Sequence, residues 1–259
     1  ELRGNGSGTP LAVGFMQTKD NQGVDHNIRN TVLRLDLRGF LVGFSTSGSW
    51  PTPDFASEEL AIVDNRYSAG ISGDGGNCVY ANARKLMLLG NDFDRGGALE
   101  HVVRVSLGEK VVISHNRLAN PEATKHHLKL HAHGATDGLI SRQIVISGNR
   151  FEGGPNPWVL AIGPSSGSAN EVVDDVIVER NYFKAGPAAQ IFVLIWAPNV
   201  TVRSNVLDGT LSASNVTSIL VDKRDTQPQS VDIRDNRIYN NTCYSGSTKA
   251  LTCVANGVN

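Results

Sequence analysis

The chain has 259 residues, 40% of them hydrophobic, enough to fill one large core, so a disordered chain is excluded. Only 19% are charged and 27 are glycine, which disfavours long Glu/Lys/Leu-rich helices and favours short strands joined by turns. A net charge of −1 excludes nucleic-acid binding through a globally basic surface, because such binding neutralises many phosphates with Lys and Arg.

Taken in chain order, the sequence opens on ELRGNG, with neither an initiator Met nor a signal peptide, as expected of a processed or excised form that has lost any targeting segment. Residues 1–30 are expected to be partly irregular or capping. From there a run of aliphatic and β-branched residues ending at Asn recurs: AIVDNRY (61–67), LMLLGNDF (86–93), VVISHNRL (111–118), IVISGNRF (144–151), VIVERNYF (176–183), VTVRSNVL (200–207) and VDIRDNRI (231–238). The repeated residues are Asn65, Asn91, Asn116, Asn149, Asn181, Asn205 and Asn236, at intervals of 26, 25, 33, 32, 24 and 31 residues. Variable intervals on a constant motif mean loops of variable length on a constant coil. Asn suits the bend of such a coil because it tolerates the left-handed conformation and its amide can bond to neighbouring coils.

Four coils carry a second short strand before the Asn strand: EHVVRVS (100–106), KHHLKLH (125–131), PWVLAIG (157–163) and QIFVLIW (190–196). The stretch Ile191 to Ala197 is also the longest apolar run, far short of the 18 residues that cross a bilayer as a helix, so no membrane partner is expected. Residues 240–259 are expected to form a C-terminal loop or cap, in which Cys243 and Cys253 can close a disulfide, while Cys78 sits in an apolar run and reads as core. A leucine-rich repeat needs a regular Leu lattice and a propeller needs blades with aromatic signatures, and neither pattern is present. The expectation is an all-β chain, 1–259 forming a single right-handed parallel β-helix of about eight to nine coils, monomeric or modestly oligomeric.

Strand parity then carries the functional reading. Alternate residues face inward, so Val103, Val105, Leu128, Leu130, Leu160 and Ile162 are expected to fill the core, and Arg104 to stack beside Lys129 outside. His127, Lys129 and His131 share the outward parity at spacings near ~7 Å, and His133 extends the row. Six of the seven histidines, His101, His115, His126, His127, His131 and His133, fall within 33 residues that fold into two adjacent coils. Small residues at Ala161 and Gly163 are expected to leave a groove beside this row. Exposed Lys and Arg are ordinary on a sheet and protect its edges, but two stacked cations repel, and clustered histidines ask for a reason.

The Asn-terminated coils resemble the pectin-lyase-like superfamily, which holds polysaccharide lyases, pectinases, epimerases, tailspikes and β-helix proteins without known activity. Within it, HVVRVSLGEKVVISHNRL is similar to the Arg-bearing coil of the chondroitinase-B and alginate-lyase group, although Val-Ser follows Arg104 where that group has His-Gly and the preceding Lys coil is missing. The resemblance implies a secreted or extracellular protein, the periplasm included, acting on an acidic polysaccharide. Lyase chemistry needs a cation to neutralise the uronate carboxylate and a base to take the C5 proton. Arg104 and Lys129 suit neutralisation or base duty, and His127 or His131 suits proton transfer. His101, His133, Trp158 and Arg142 are expected to bind substrate. The residues demand no cofactor; Ca²⁺ is the candidate ion.

Three alternatives stand beside the lyase. A hydrolase needs paired carboxylates, for which Asp174 with Asp175, Glu171, or Asp92 with Asp94 are the candidates. A metal site can draw on His127, His131 and His133, without a carboxylate until Asp137, so none is assigned. A glycan-binding or structural β-helix would use the same groove and no catalytic set.

Overall fold

A computed structural model describes residues 2–3, 11–16, 29–38, 40–46, 57–68, 76–96, 100–122, 124–132, 140–155, 158–163, 172–222 and 233–256. Among them there is no helix, and each strand pairs in parallel with a strand of the preceding or following coil. The architecture is an all-β parallel solenoid.

Each coil presents three faces. The strands ahead of the Asn bend form the first, as in 111–114, 144–147, 176–179 and 200–203. The strands after it form the second, a nine-stranded sheet that includes 117–119, 150–153 and 182–185. The third holds 103–105, 128–130, 158–162, 191–195 and 216–221. The first and third faces fuse into a fifteen-stranded sheet because Val79–Leu89 and Val103–Ser114 each run unbroken around the corner between them. A register shift between Val105 and Leu107 marks the corner of the second of these strands, as a bulge does.

That corner is where repeat length varies. Five residues separate Val105 from Val111, but thirteen separate their partners Leu130 and Ile144, which accounts for the change in interval from 25 to 33. The additional residues are absorbed without disturbing the three faces.

The bend works by a division of labour between two residues. The left-handed conformation belongs to the residue before each Asn, namely Asp64, Gly90, His115, Gly148, Arg180 and Ser204, with φ between 54° and 67°. The Asn itself turns inward and forms the ladder. Asn116, for example, donates its backbone N–H and its Nδ2 to Asn149 Oδ1, both at 2.9 Å, and its Nδ2 also reaches the Leu88 carbonyl at 2.9 Å. The same pattern links Asn65 to Asn91, Asn116, Asn149, Asn181 and Asn205 in turn. A buried amide with all its polar groups engaged avoids the desolvation penalty that would otherwise forbid it there.

The ladder ends at Asn241, not at Asn236. Asn205 donates its N–H to Asn241 Oδ1 at 3.0 Å, while Asn236 Oδ1 accepts from Val200 N–H at 2.8 Å, at a different corner. The pairing of Thr201, Val202 and Arg203 with Arg237, Ile238 and Tyr239 sets the last repeat as NRIYNNTC (236–243), five residues beyond VDIRDNRI. Residues 242–245 and 251–256, expected as loop or cap, are strands that continue the second and third faces, tied by the Cys243–Cys253 disulfide.

The interior is a column of large apolar side chains. Two residues beyond each bend lie Tyr67, Phe93, Leu118, Phe151, Phe183 and Leu207, all fully buried. Phe151 and Phe183 stack at 4.5 Å, and Phe44 and Phe192 meet the column edge-on. Burying each such ring contributes about 1.5–3 kcal/mol before packing effects. Cys78 is buried, and burial pushes its thiol up, away from reactivity.

Candidate functional site

The outer surface of the third face brings the chemically capable residues together. Val103 pairs with Leu128, Arg104 with Lys129 and Val105 with Leu130, the alignment expected from parity. The valines and leucines are fully buried, so Arg104 and Lys129 stand on the opposite side, side by side on strands about 4.8 Å apart. The same column runs from Tyr80 through Arg104 and Lys129 to Ala161 and Leu194.

Both cations are compensated. The Arg104 guanidinium pairs with the Glu100 carboxylate at 2.9 Å and lies over the Tyr80 ring at 5.7 Å. Lys129 Nζ sits 4.5 Å from the centre of the Trp196 indole, and the Lys129 residue is only 3% exposed. An ammonium over an indole face is a favourable desolvated contact. It also means that the expected groove is filled: Ala161 is fully buried, and Trp196 packs with Leu194 where parity alone leaves an open channel. Gly163 permits this, because a Cβ there would lie 2.7 Å from the Trp196 carbonyl oxygen.

A second outward column flanks the first. His101 and His126 stack at 4.7 Å with their planes 4° apart, and His126 stacks on Trp158 at 5.7 Å. His131 lies 6.4 Å from His101. Hydrogen bonds fix which nitrogen is which. His101 Nδ1 accepts from the His126 backbone N–H at 3.0 Å, so a neutral His101 carries its proton on Nε2 and presents a donor. His126 Nδ1 meets the Trp158 carbonyl at 3.3 Å, which can only accept, so the neutral His126 ring keeps its lone pair on Nε2. Burial, then the neighbouring His126, His131, Arg104 and Lys129, hold the His101 pKa far below its ordinary range, so His101 is neutral at physiological pH.

Several expected members lie elsewhere. His127 does not share the outward face. The strand begins at Leu128, so His127 sits in the bend before it, where strict alternation does not apply, and its ring turns inward against Phe151 with centroids 6.1 Å apart. Its Nε2–H donates to the Glu152 carbonyl at 3.0 Å, and burial lowers its pKa to about 4. His131 is on the expected side but is 1% exposed. Arg142 is far along the coil, where its guanidinium bonds Glu109 at 2.5 Å in a chain that continues through Arg84 to Glu58. His133, Glu171 and Asp137 lie outside the described residues.

The alternative chemistries find less. His127 and His131 face opposite sides of the sheet and cannot share an ion, and among the described residues no three His, Cys, Asp or Glu side chains converge on a metal position. Asp92 is held by Arg66 and Arg117, Asp94 accepts from Asn120, and Asp174 accepts from Asn199, so these three hydrolase candidates serve the surface lattice, while Asp175 is exposed beside Asp174.

Glu100 and Tyr80 complete the site beyond the residues expected from the sequence, together with His126, expected only as a member of the histidine cluster, and Trp196, expected only as an aromatic that could stack on a sugar ring. Of these, Glu100 had a readable signal, lying four residues before Arg104, whereas Trp196 comes from two coils away. No family model matches the chain, and neither a curated protein nor a solved structure gives a significant match.

Proposed function

We propose that the chain is a right-handed, pectin-lyase-like β-helix that acts on an acidic polysaccharide outside the cytoplasm, by β-elimination. The observation that supports this most is the convergence of Arg104 and Lys129 with the stacked His101, His126 and Trp158. A uronic acid offers a carboxylate, an acidic C5–H beside it and a pyranose face. Arg104, whose side chain keeps 15% of its surface exposed, meets the carboxylate, with buried Lys129 adding positive field behind it. His126 Nε2 takes the C5 proton, the C5 electron pair forms the C4–C5 double bond, and the C4–O bond breaks. The His126 imidazolium then returns that proton to the leaving oxygen, His101 Nε2–H steadies this oxygen by donating a hydrogen bond, and the half-buried Trp158 stacks on the ring. The Cys243–Cys253 disulfide fits an oxidising compartment.

A second reading, recognition of an acidic glycan without cleavage, is favoured by the burial of Lys129 and His131 and by the Glu100 partner of Arg104. The two separate in one assay: absorbance near ~235 nm, where the unsaturated product of elimination absorbs, over alginate, pectate, chondroitin, hyaluronan and glucuronan, with Ca²⁺ or EDTA. A rise on one substrate, lost in His126→Ala, is expected. Flat traces together with flat reducing-sugar assays would leave recognition alone.

A further inference from the structure

The outer surface of the first face, away from the candidate site, carries charge in a self-complementary order. Strand register aligns Arg29, Glu59, Lys85 and Lys110 in one column. The column continues through Gln143, Asp175 and Asn199, each one residue ahead of a paired position, and Asp235, two residues ahead of Arg237. Its early half is basic and its late half acidic. Lys110, Asp175 and Asp235 are exposed and have no ion-pair partner among the described residues. Beside it runs an apolar column in which Met87 and Val112 are 41% and 39% exposed, followed by Val145 and Ile177. Two hollows lie along this surface, one of about 350 Å³ over Met87 and Val112 and one of about 260 Å³ between Asp175 and Asp235.

We infer that this face binds a second copy of the chain, with the two solenoid axes antiparallel about a two-fold axis along the strand direction. Such an axis lays each column on itself in reverse, the isologous geometry of a closed dimer. One register satisfies both columns. With the axis between the coils of Lys110 and Gln143, Lys85 meets Asp175 of the second copy, Arg29 meets Asp235, Glu59 meets Asn199 and Lys110 meets Gln143. In the same register Val112 meets Val145 and Met87 meets Ile177, an apolar centre with charged ends. A shift of the axis by half a coil one way sets Glu59 against Asp235 and keeps one unlike pair, Lys110 with Asp175, and the other way sets Glu59 against Asp175 and Lys110 against itself, so neither matches the two unlike pairs of this register.

The decisive experiment is sedimentation equilibrium of the full chain over a concentration series, with circular dichroism confirming that each variant is folded. The wild type is expected to approach twice the chain mass. Asp175→Lys and Lys85→Glu are each expected to weaken association about tenfold or more, and the double variant to recover part of it, because exchanging the two side chains again sets a carboxylate against an ammonium while the pair of Lys85 with Glu59 at 2.6 Å stays lost. Val112→Asp is expected to leave a monomer. A wild type that stays monomeric at the highest concentration overturns the inference. A dimer indifferent to Val112→Asp, or single charge variants that the double variant does not rescue, overturns this face or this register.

Discussion

At the scale of single residues, the ladder amides are the most constrained positions in the chain. Asn149 Oδ1 accepts the Asn116 backbone N–H, and its Nδ2 bonds the Ile113 carbonyl at 2.8 Å and Asn181 Oδ1 at 3.0 Å. Asn149→Ala strands these buried groups, each at about 1–3 kcal/mol, so a loss of roughly 3 kcal/mol or more in urea unfolding is expected. Asn241→Ala, at the half-buried end of the ladder, is expected to cost clearly less. His127 gives stability a pH dependence. The unfolded chain takes up this proton near pH ~6.5 and the folded chain only near about 4, so stability is intact above pH ~6.5 and falls as pH drops through that window. The loss reaches roughly 3 kcal/mol at the acid end, and His127→Gln is expected to flatten the unfolding free energy measured between about pH 7.5 and about pH 4.5.

At the scale of elements, the sequence is readable where residue type repeats and opaque where geometry depends on a neighbouring coil. The Asn column and the Val/Leu pairs across Arg104 and Lys129 show in the sequence because one coil's chemistry is copied onto the next. The last repeat misleads because Asn236 and Asn241 lie five apart, and the true strand, Arg237–Tyr239, has Arg237 where the preceding coil has the β-branched Thr201. His127 departs from its expected face because alternation holds only inside a strand, and this strand starts one residue later. The filling of the groove by Trp196 is a contact between sequence-distant coils, with no local signal. That contact depends on Gly163, whose φ is +117°. Gly163→Ala is expected to destabilise the fold by at least about 1 kcal/mol, read as a lowered melting temperature, and to displace Trp196 from Lys129.

At the scale of the whole molecule, the solenoid separates its tasks by face. The second face is tied by alternating charges, with Arg117 bridging Asp92 and Glu152. The third gathers cations, imidazoles and indoles, and the first carries the self-complementary columns. The interior serves all three, and the strands on either side of the corner keep their register while the number of residues between them changes from five to thirteen. The proposed function places an acidic sugar against Arg104 and Trp158, and the most direct test is intrinsic tryptophan fluorescence during titration with uronic-acid oligosaccharides. A saturable change that disappears in Arg104→Ala and in Trp158→Phe, with neutral oligosaccharides silent, is expected. No change with any acidic oligosaccharide, or a change that survives Arg104→Ala, would contradict it.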